Sequence, residues 1–382
     1  MSAGGDVLNT LSLLAGVVLI VTVLWETFET IVLPRRVTRQ FRLTRLFYRI
    51  TWTFWTSLAN LRSTNRKRDA VFSFYGPLSL LFLFATWAVG LVLGFALVHY
   101  GANSQFTGTS LPSRFGNDLY MSGTTLFTLG LGDLTPATSL ARFITVLEAG
   151  IGFGFLALVI GYLPVLYQSF SRREVTISLL DARAGTPPTA FELFRRHAEP
   201  EGQEAMAEIL HDWEQWAADL MESHLSYPVL AYYRSQHDNQ SWLGSLTAVL
   251  DACALARAGL EGVCEYQARM TFAIARHALV DLSQIFSARP AEQGLYDRMP
   301  PEELASLRQG LQEIGFPLSD DGVAKLDEIR RQYEPYAISL ALYLRIDLPP
   351  WVRRERIKDN WQTSSWKPTS TKCATAKTEE HF

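Results

Sequence analysis

A short stretch of the chain, residues 125–136, most constrains what the chain can fold into. It lies between two long apolar segments, yet it is too polar and too rich in glycine to span a membrane itself. Gly130 and Gly132 alternate with other residues, and glycine accepts positive φ angles that other residues resist. Successive backbone carbonyls can therefore point the same way, an arrangement that can replace the water around a dehydrated cation.

Three segments are long and apolar enough to cross a membrane. Residues 7–25 carry no charge, and as a helix they would extend about 28 Å, close to the thickness of a hydrocarbon core. A second span covers 78–98, and a third runs from about 140 to 168 with Glu148 as its only interior charge. A cleaved secretory signal is the alternative for the first span. It is disfavoured because no basic segment precedes the span and no small-residue cleavage site follows it.

The segment 34–69 is strongly basic, with ten Arg or Lys and one Asp. Its arginines recur mostly at every third position, as in a voltage-sensing helix. An apolar stripe from Leu43 to Leu61 favours instead a helix in the membrane interface, with Trp52 and Trp55 at headgroup depth. We expect anionic lipids to bind near Arg36, Arg39, Arg42 and Arg45.

The basic clusters also indicate a topology, because Arg and Lys concentrate on the cytoplasmic side of a membrane. Placing 34–69 inside puts the N-terminus outside and the long C-terminal part in the cytoplasm, in a plasma (inner) membrane protein. Glu26 and Glu29 then lie at headgroup depth or pair with nearby arginines. A short helix before the glycine-rich stretch, capped by Asn117 and Asp118, can enter the membrane from outside and stop.

This order of elements resembles the pore of the potassium channel superfamily, over residues 70–170. The similarity is to the bacterial type with one pore loop and two transmembrane helices, here with an extra N-terminal transmembrane helix in 1–33. The positions that match the family's pore pattern are Tyr120, Thr125, Thr128, Gly130, Gly132, Asp133 and Pro136. The resemblance implies an all-α membrane protein in which outer helix, pore helix, filter and inner helix follow one another.

The same resemblance implies which groups bind the ion. The filter would comprise Thr128, Leu129, Gly130, Leu131, Gly132 and Asp133. The carbonyls of the first four, with the Thr128 hydroxyl, would bind K⁺, which is the permeant ion rather than a cofactor. Asp133 would lie at the outer mouth. Because one loop per chain cannot close a filter built from four, we expect a homotetramer.

Two positions depart from the family pattern. Leu131 stands where the commonest filters have Tyr, and Phe127 replaces a small hydroxyl residue. Leu also occurs at the Tyr position in some two-pore-domain relatives, so potassium selectivity is our first expectation and a weakly selective cation channel is the alternative. On the inner helix, Gly152 falls at the gating-hinge position, where a packing glycine is the alternative. Pro164 could bend that helix at a cytoplasmic gate.

After a linker at 171–188, the residues 189–362 indicate a cytoplasmic helical domain, and 363–382 have the composition of a disordered tail. No strand alternation is visible, and no phosphate-binding glycine loop, enzyme constellation or nucleic-acid-binding pattern is found. An aromatic group predicts core packing, with a pocket for an unknown ligand as the alternative: Trp213, Trp216, Tyr227, Tyr232, Tyr233 and Trp242. A non-conducting membrane sensor that uses this domain is the alternative function.

Overall fold

The computed structural model describes residues 3–33, 42–61, 65–108, 112–237, 239–260, 264–292, 296–353 and 359–360. The chain divides into two compact units, Met1–Gln168 and Ser169–Phe382. Helices dominate both, so the predicted all-α fold class is confirmed. The predictions for Arg36, Arg39 and the tail at 363–382 lie outside the described residues.

Unit 1 contains the predicted spans and a short ribbon. Its helices are α1 (Ala3–Thr27, followed by a π-helical turn at Phe28–Val32), α2 (Leu43–Asn60), α3 (Asn65–Gly101), α4 (Arg114–Leu126) and α5 (Ser139–Ala184), and its strands are β1 (Phe106–Gly108) and β2 (Leu134–Pro136). Three helical stretches are long and apolar enough to cross a membrane, Gly5–Val32, Arg68–Gly101 and Ser139–Ala184. The three spans expected from the sequence are therefore present.

The extra helix α1 packs closely along α3. A Cβ added at Gly16 would lie 2.6 Å from the carbonyl oxygen of Gly94, and one at Gly101 would lie 2.5 Å from the backbone nitrogen of Leu13. Small residues that let two backbones approach are typical of helix contacts in membranes. Close approach at glycines thus holds the additional helix α1 against α3.

Two glutamates of the first span contact the start of helix α2. Glu26 accepts hydrogen bonds from the backbone N–H groups of Leu43 and Thr44, both at 3.1 Å, and so satisfies two free donors of the helix start. Glu29 Oε2 lies 3.6 Å from Arg42 Nε. The sequence left two alternatives for these glutamates, and the structure places Glu29 against an arginine.

The two faces of α2 differ sharply in exposure. Ile50, Phe54 and Leu61 are exposed, as an interfacial helix requires. Trp52 is instead buried against α3, with its ring 4.7 Å from that of Tyr75. Trp52 thus contacts protein rather than solvent, and its predicted position at headgroup depth stays a prediction.

The helix α4 starts earlier than the sequence indicated. Ser113, rather than Asn117 or Asp118, is its N-cap, and the Ser113 hydroxyl accepts a hydrogen bond from Gly116 N at 3.2 Å. Asp118 lies inside the helix and is buried. The sequence prediction missed this cap because serine, asparagine and aspartate all satisfy a helix start and stand close together here.

The helix α5 belongs to both units. It continues without interruption past Gln168, where the predicted span ended, and through 171–184 of the predicted linker. Ile177 and Leu180 are fully buried within unit 2. The inner helix and the start of unit 2 are therefore one continuous element.

Unit 2 is a helical domain around a buried central helix. Its further helices are α6 (Ala190–Arg196), α7 (Pro200–Ser226), α8 (Trp242–Arg257), α9 (Glu265–Ile285), α10 (Pro301–Glu313), α11 (Asp320–Arg330) and α12 (Glu334–Leu344), with a 3₁₀ turn at Pro228–Tyr232. All residues of α8 from Trp242 to Ala256 are buried, and α7 and α9 pack together beside it. Pro335 stands in the first turn of α12, where a helix accepts proline.

A buried network of charges crosses the interior of unit 2. Arg298 donates to Asp251 at 2.6 Å and to Glu334 at 3.2 Å. Tyr333 donates its hydroxyl proton to Asp251 at 2.5 Å, and the Trp351 ring lies 5.6 Å from the guanidinium of Arg298. Burial, together with the charges of Asp251 and Glu334, raises the pKa of Tyr333 well above its ordinary value. Pairing within one chain compensates the charges that this core encloses.

Candidate functional site

The loop at residues 127–133, called here the carbonyl loop, has an alternating backbone. Gly130 has φ +55° and Gly132 has φ +77°, as their residue type predicted. Thr128 also has positive φ, +57°, which is rare for a β-branched residue. A backbone held in this region costs on the order of 1–3 kcal/mol, and such residues concentrate at functional sites.

The carbonyl loop is held from behind through its N–H groups. Leu129 N donates to Thr124 O at 2.8 Å, and Thr128 N donates to Thr125 O at 3.0 Å, both on α4. Among the described residues, no hydrogen bond ends on the carbonyl oxygens of Thr128, Leu129, Gly130 or Leu131. Backbone carbonyls are strong acceptors that normally find a partner. These N–H groups of the loop are thus bonded to α4, while its row of carbonyl oxygens remains available.

Two further contacts hold the end of the carbonyl loop. Tyr120 on α4 donates its hydroxyl proton to Asp133 Oδ2 at 2.7 Å. Directly after Asp133, β2 pairs antiparallel with β1, and Gly108 stands opposite Leu134. The sequence analysis missed this ribbon because three residues per strand are too few to show alternation.

The carbonyl loop also exposes large apolar side chains. Phe127, Leu129 and Leu131 are 57%, 60% and 64% exposed. Single exposed apolar residues are ordinary, but three within five positions form a patch that marks an interaction surface. One chain by itself leaves this patch uncovered.

The two predicted gating positions lie on α5. A Cβ added at Gly152 would come within 2.5 Å of the carbonyl oxygen of Leu126, the last residue of α4. This close approach supports the packing alternative for Gly152. Pro164 lies inside the helix without ending it, although it removes one backbone hydrogen bond there.

Three buried polar side chains connect α3, α4 and α5 behind the carbonyl loop. The Ser122 hydroxyl lies within short hydrogen-bonding distance of Glu148 Oε1 and 2.9 Å from Val92 O, and its single proton serves one of these two acceptors at a time. His99 Nε2 lies 3.6 Å from Glu148 Oε2, and both residues are fully buried. Ionisable side chains within membrane spans normally pair inside the bundle. The sequence marked Glu148 as the only charge in the interior of its span, and the structure supplies its partners.

Comparison with known proteins identifies the family. A family model described as "Ion channel" matches residues 79–168, which include α4, the carbonyl loop and most of α3. Protein LctB from Bacillus caldotenax is 30% identical over 93 residues, covering 22% of this chain and 69% of the relative. The chain belongs to this ion channel family. Protein LctB from Geobacillus stearothermophilus is 31% identical over the same length.

A further relative extends the similarity beyond the channel domain. "Uncharacterized membrane protein YdjJ" from Bacillus subtilis (strain 168) is 25% identical over 255 residues, covering 65% of this chain and 70% of the relative. That length exceeds unit 1, so the similarity continues into unit 2. No solved structure matches the chain.

Family membership assigns roles to the helices of unit 1. In this ion channel, α3 is the outer helix, α4 the pore helix and α5 the inner helix, and α1 is the additional transmembrane helix.

Of the predicted lipid-binding arginines, Arg42 contacts Glu29 and Arg45 is half-buried. Lipid binding at these positions stays a prediction.

In unit 2, Arg173 on α5 is one of the residues that hold this helix against the rest of the helical domain. Arg173 donates to the carbonyl oxygens of Leu230 and Tyr233, both at 2.9 Å, and its own carbonyl accepts from Trp216 Nε1 at 3.2 Å. The neighbouring rings are buried, with the tilted rings of Trp213 and Trp216 4.4 Å apart. These aromatic residues fill the core, as the first of the two sequence interpretations expected.

Proposed function

We propose that the protein is a potassium-selective channel in which four copies of the chain surround one ion path. The alternation of positive φ at Thr128, Gly130 and Gly132 carries this proposal. This alternation would aim carbonyls from consecutive residues toward one side, where four loops would form rings of oxygens around a dehydrated ion. K⁺ would bind at the carbonyls of residues 128–131 and pass down its gradient without covalent chemistry.

The surroundings of the carbonyl loop support cation conduction. The C-terminal end of α4 carries a partial negative charge and precedes the loop directly. Asp133 is exposed at the other end of the loop and would raise the local concentration of cations. Three apolar side chains, those of Phe127, Leu129 and Leu131, would be covered by neighbouring copies in a tetramer.

Unit 2 would act as a cytoplasmic regulator of this channel in the plasma (inner) membrane, with the N-terminus outside. Support comes from α5, which continues from the pore domain into unit 2 and is bound there through Arg173. A movement of the helical domain would therefore act directly on the inner helix.

Flux through liposomes containing the purified full-length protein tests the proposal. We expect K⁺ efflux to exceed Na⁺ efflux by at least about tenfold, which corresponds to a differential free energy of about 1.4 kcal/mol. Equal K⁺ and Na⁺ fluxes would instead indicate a weakly selective cation channel, which the exposed Leu131 favours. The absence of any cation flux at all tested voltages and pH values would favour a non-conducting sensor.

A further inference from the structure

A cavity of about 620 Å³ lies in unit 1, away from the carbonyls of the loop. Its walls come from the start of α1, the turn after α3, the first turns of α4, and β2. The size falls within the range of 300–1,000 Å³ that is usual for small-molecule sites. The ion path proposed above does not use this space.

Asp118 is the most unusual group in the cavity wall. The residue is only 1% exposed, and no described residue forms a hydrogen bond with its Oδ2 atom. A buried carboxylate is costly unless a partner compensates it. Burial raises the pKa of Asp118 to about 6, although the charges of Arg114 and His99 act in the opposite direction.

The nearby cations are occupied by other groups. Arg114 donates to Tyr100 O at 2.5 Å and lies over the Tyr100 ring at 4.4 Å. His99 faces Glu148 through one ring nitrogen and Ser104 through the other. Asp6 adds a second carboxylate to the cavity wall from α1. The cavity wall therefore contains a buried acceptor, Asp118 Oδ2, that no described residue hydrogen-bonds.

We propose that this cavity binds a small organic cation, with an ammonium or guanidinium group paired to Asp118. Phe106 and Leu134 supply an apolar wall for the rest of such a molecule, and the Asn9 and Asn103 amides supply polar contacts. A bare metal ion fits less well because the space far exceeds one ion. Moreover, no group of three or more His, Cys, Asp or Glu in the described part of the chain could hold a metal.

Occupancy would also affect the pore. Asp118 lies on α4, and Leu134 directly follows Asp133 at the end of the carbonyl loop. A ligand that contacts both would restrain the loop against its pore helix and change ion flux. This second consequence rests on the proposed channel function, whereas binding itself does not.

Calorimetry on the purified full-length protein tests the binding, with butylammonium as probe and neutral butyramide as its matched control. We expect saturable binding of butylammonium alone, weakened about tenfold or more in Asp118→Asn because a charge-assisted contact is lost. Asp69→Asn is the matched variant, since Asp69 lies at the opposite end of α3, about 48 Å from Gly101 along the helix. Its affinity should equal that of the parent protein.

Acidification supplies a second measurement that needs no variant. Protonation of Asp118 should weaken butylammonium binding between about pH 7.5 and about pH 5. The proposal is overturned by the absence of saturable binding, by equal affinity in Asp118→Asn, or by equal binding of butyramide. Asp118-dependent binding to a protein that conducts no ion would retain this site while rejecting the channel proposal.

Discussion

Among the residues that the structure describes, the carbonyl loop leaves polar groups without protein partners, whereas the interior of unit 2 pairs its polar groups with one another. In the carbonyl loop, acceptor oxygens stay available, a β-branched residue takes a positive φ, and apolar side chains remain exposed. In unit 2, Arg298 and its partners are buried and paired within one chain. The first region has the features of a surface completed by other copies and by ions, while the second is complete within the chain.

This contrast shows where a single chain carries its own stability. Burial and ion pairing hold the core of unit 2, and removal of one partner there should destabilise it. Conformation, rather than burial, defines the carbonyl loop, so a substitution there should change function and leave the fold intact. The following substitutions separate these two expectations.

The largest effect is expected at Gly130. Within one chain, the Cβ that Gly130→Ala adds meets no atom within 4 Å, so within that chain only the backbone conformation opposes it, at about 1–2 kcal/mol. We expect K⁺ flux from liposomes to be abolished while tetramer assembly persists. Gly154→Ala is the matched control, because its Cβ is equally free but its backbone is helical. Normal flux in Gly130→Ala would place the ion path elsewhere.

A substitution in the core of unit 2 should act on stability instead. Arg298→Met leaves Asp251 and Glu334 buried without their shared cation, and breaking such a pair costs about 3–5 kcal/mol. Hydrogen exchange of unit 2 amides in the full-length protein measures this loss. Arg308→Met is the control, because its partner Asp320 is 91% exposed and such pairs contribute about 0–1 kcal/mol. Equal protection of the unit 2 amides in both variants would show that the buried pair does not hold this core.

These differences also explain what could be predicted from sequence. Hydropathy marked the three spans, and residue type predicted positive φ at Gly130 and Gly132, because both signals are local. The positive φ of Thr128 was not predictable, since threonine resists it and the surrounding contacts impose it. The partners of Glu148 and the burial of Trp52 depend on other helices, so their own segments could not reveal them.

Helix boundaries were the least predictable feature of unit 2. Gly259, with φ +104°, lies in the connection between α8 and α9. The continuation of α5 to Ala184 was missed, because apolar content falls after Gln168 while helical packing persists through Ile177 and Leu180. Packing against the domain, rather than hydropathy, extends this helix.

Gly152 tests a smaller effect at the edge of the pore. Gly152→Ala would press against the carbonyl of Leu126, and overpacking of this kind costs about 1–3 kcal/mol. We expect a lower melting temperature of the assembled protein, measured by loss of tetramer on heating. Gly150→Ala has an unobstructed Cβ and should melt like the parent protein. Unchanged stability with altered gating in Gly152→Ala would instead support the hinge interpretation.

The smallest effect concerns the pH dependence of unit 2. His224 is fully buried, its Nδ1–H donates to Leu220 O at 2.9 Å, and its Nε2 lies 3.3 Å from Arg173 Nη1. Burial, followed by the charge of Arg173, lowers the pKa of His224 well below its ordinary value of 6.5. The unfolded chain therefore takes up this proton near pH 6.5, whereas the folded chain does so only at much lower pH. Stability is fully present above this range and falls as the pH drops, by at most about 1.4 kcal/mol per pH unit for one proton.

Hydrogen exchange of unit 2 amides between about pH 7.5 and about pH 5 measures this dependence once intrinsic exchange rates are corrected for. His224→Asn should flatten the pH dependence of the free energy of unfolding, even where it lowers stability at every pH. His211→Asn should preserve the dependence, because the side chain of His211 is 55% exposed. If His224→Asn retained the full slope, another group would be responsible, and the junction between Arg173 and the domain would not sense protons. A flattened slope would show that His224, next to Arg173 on α5, makes the stability of unit 2 sensitive to pH.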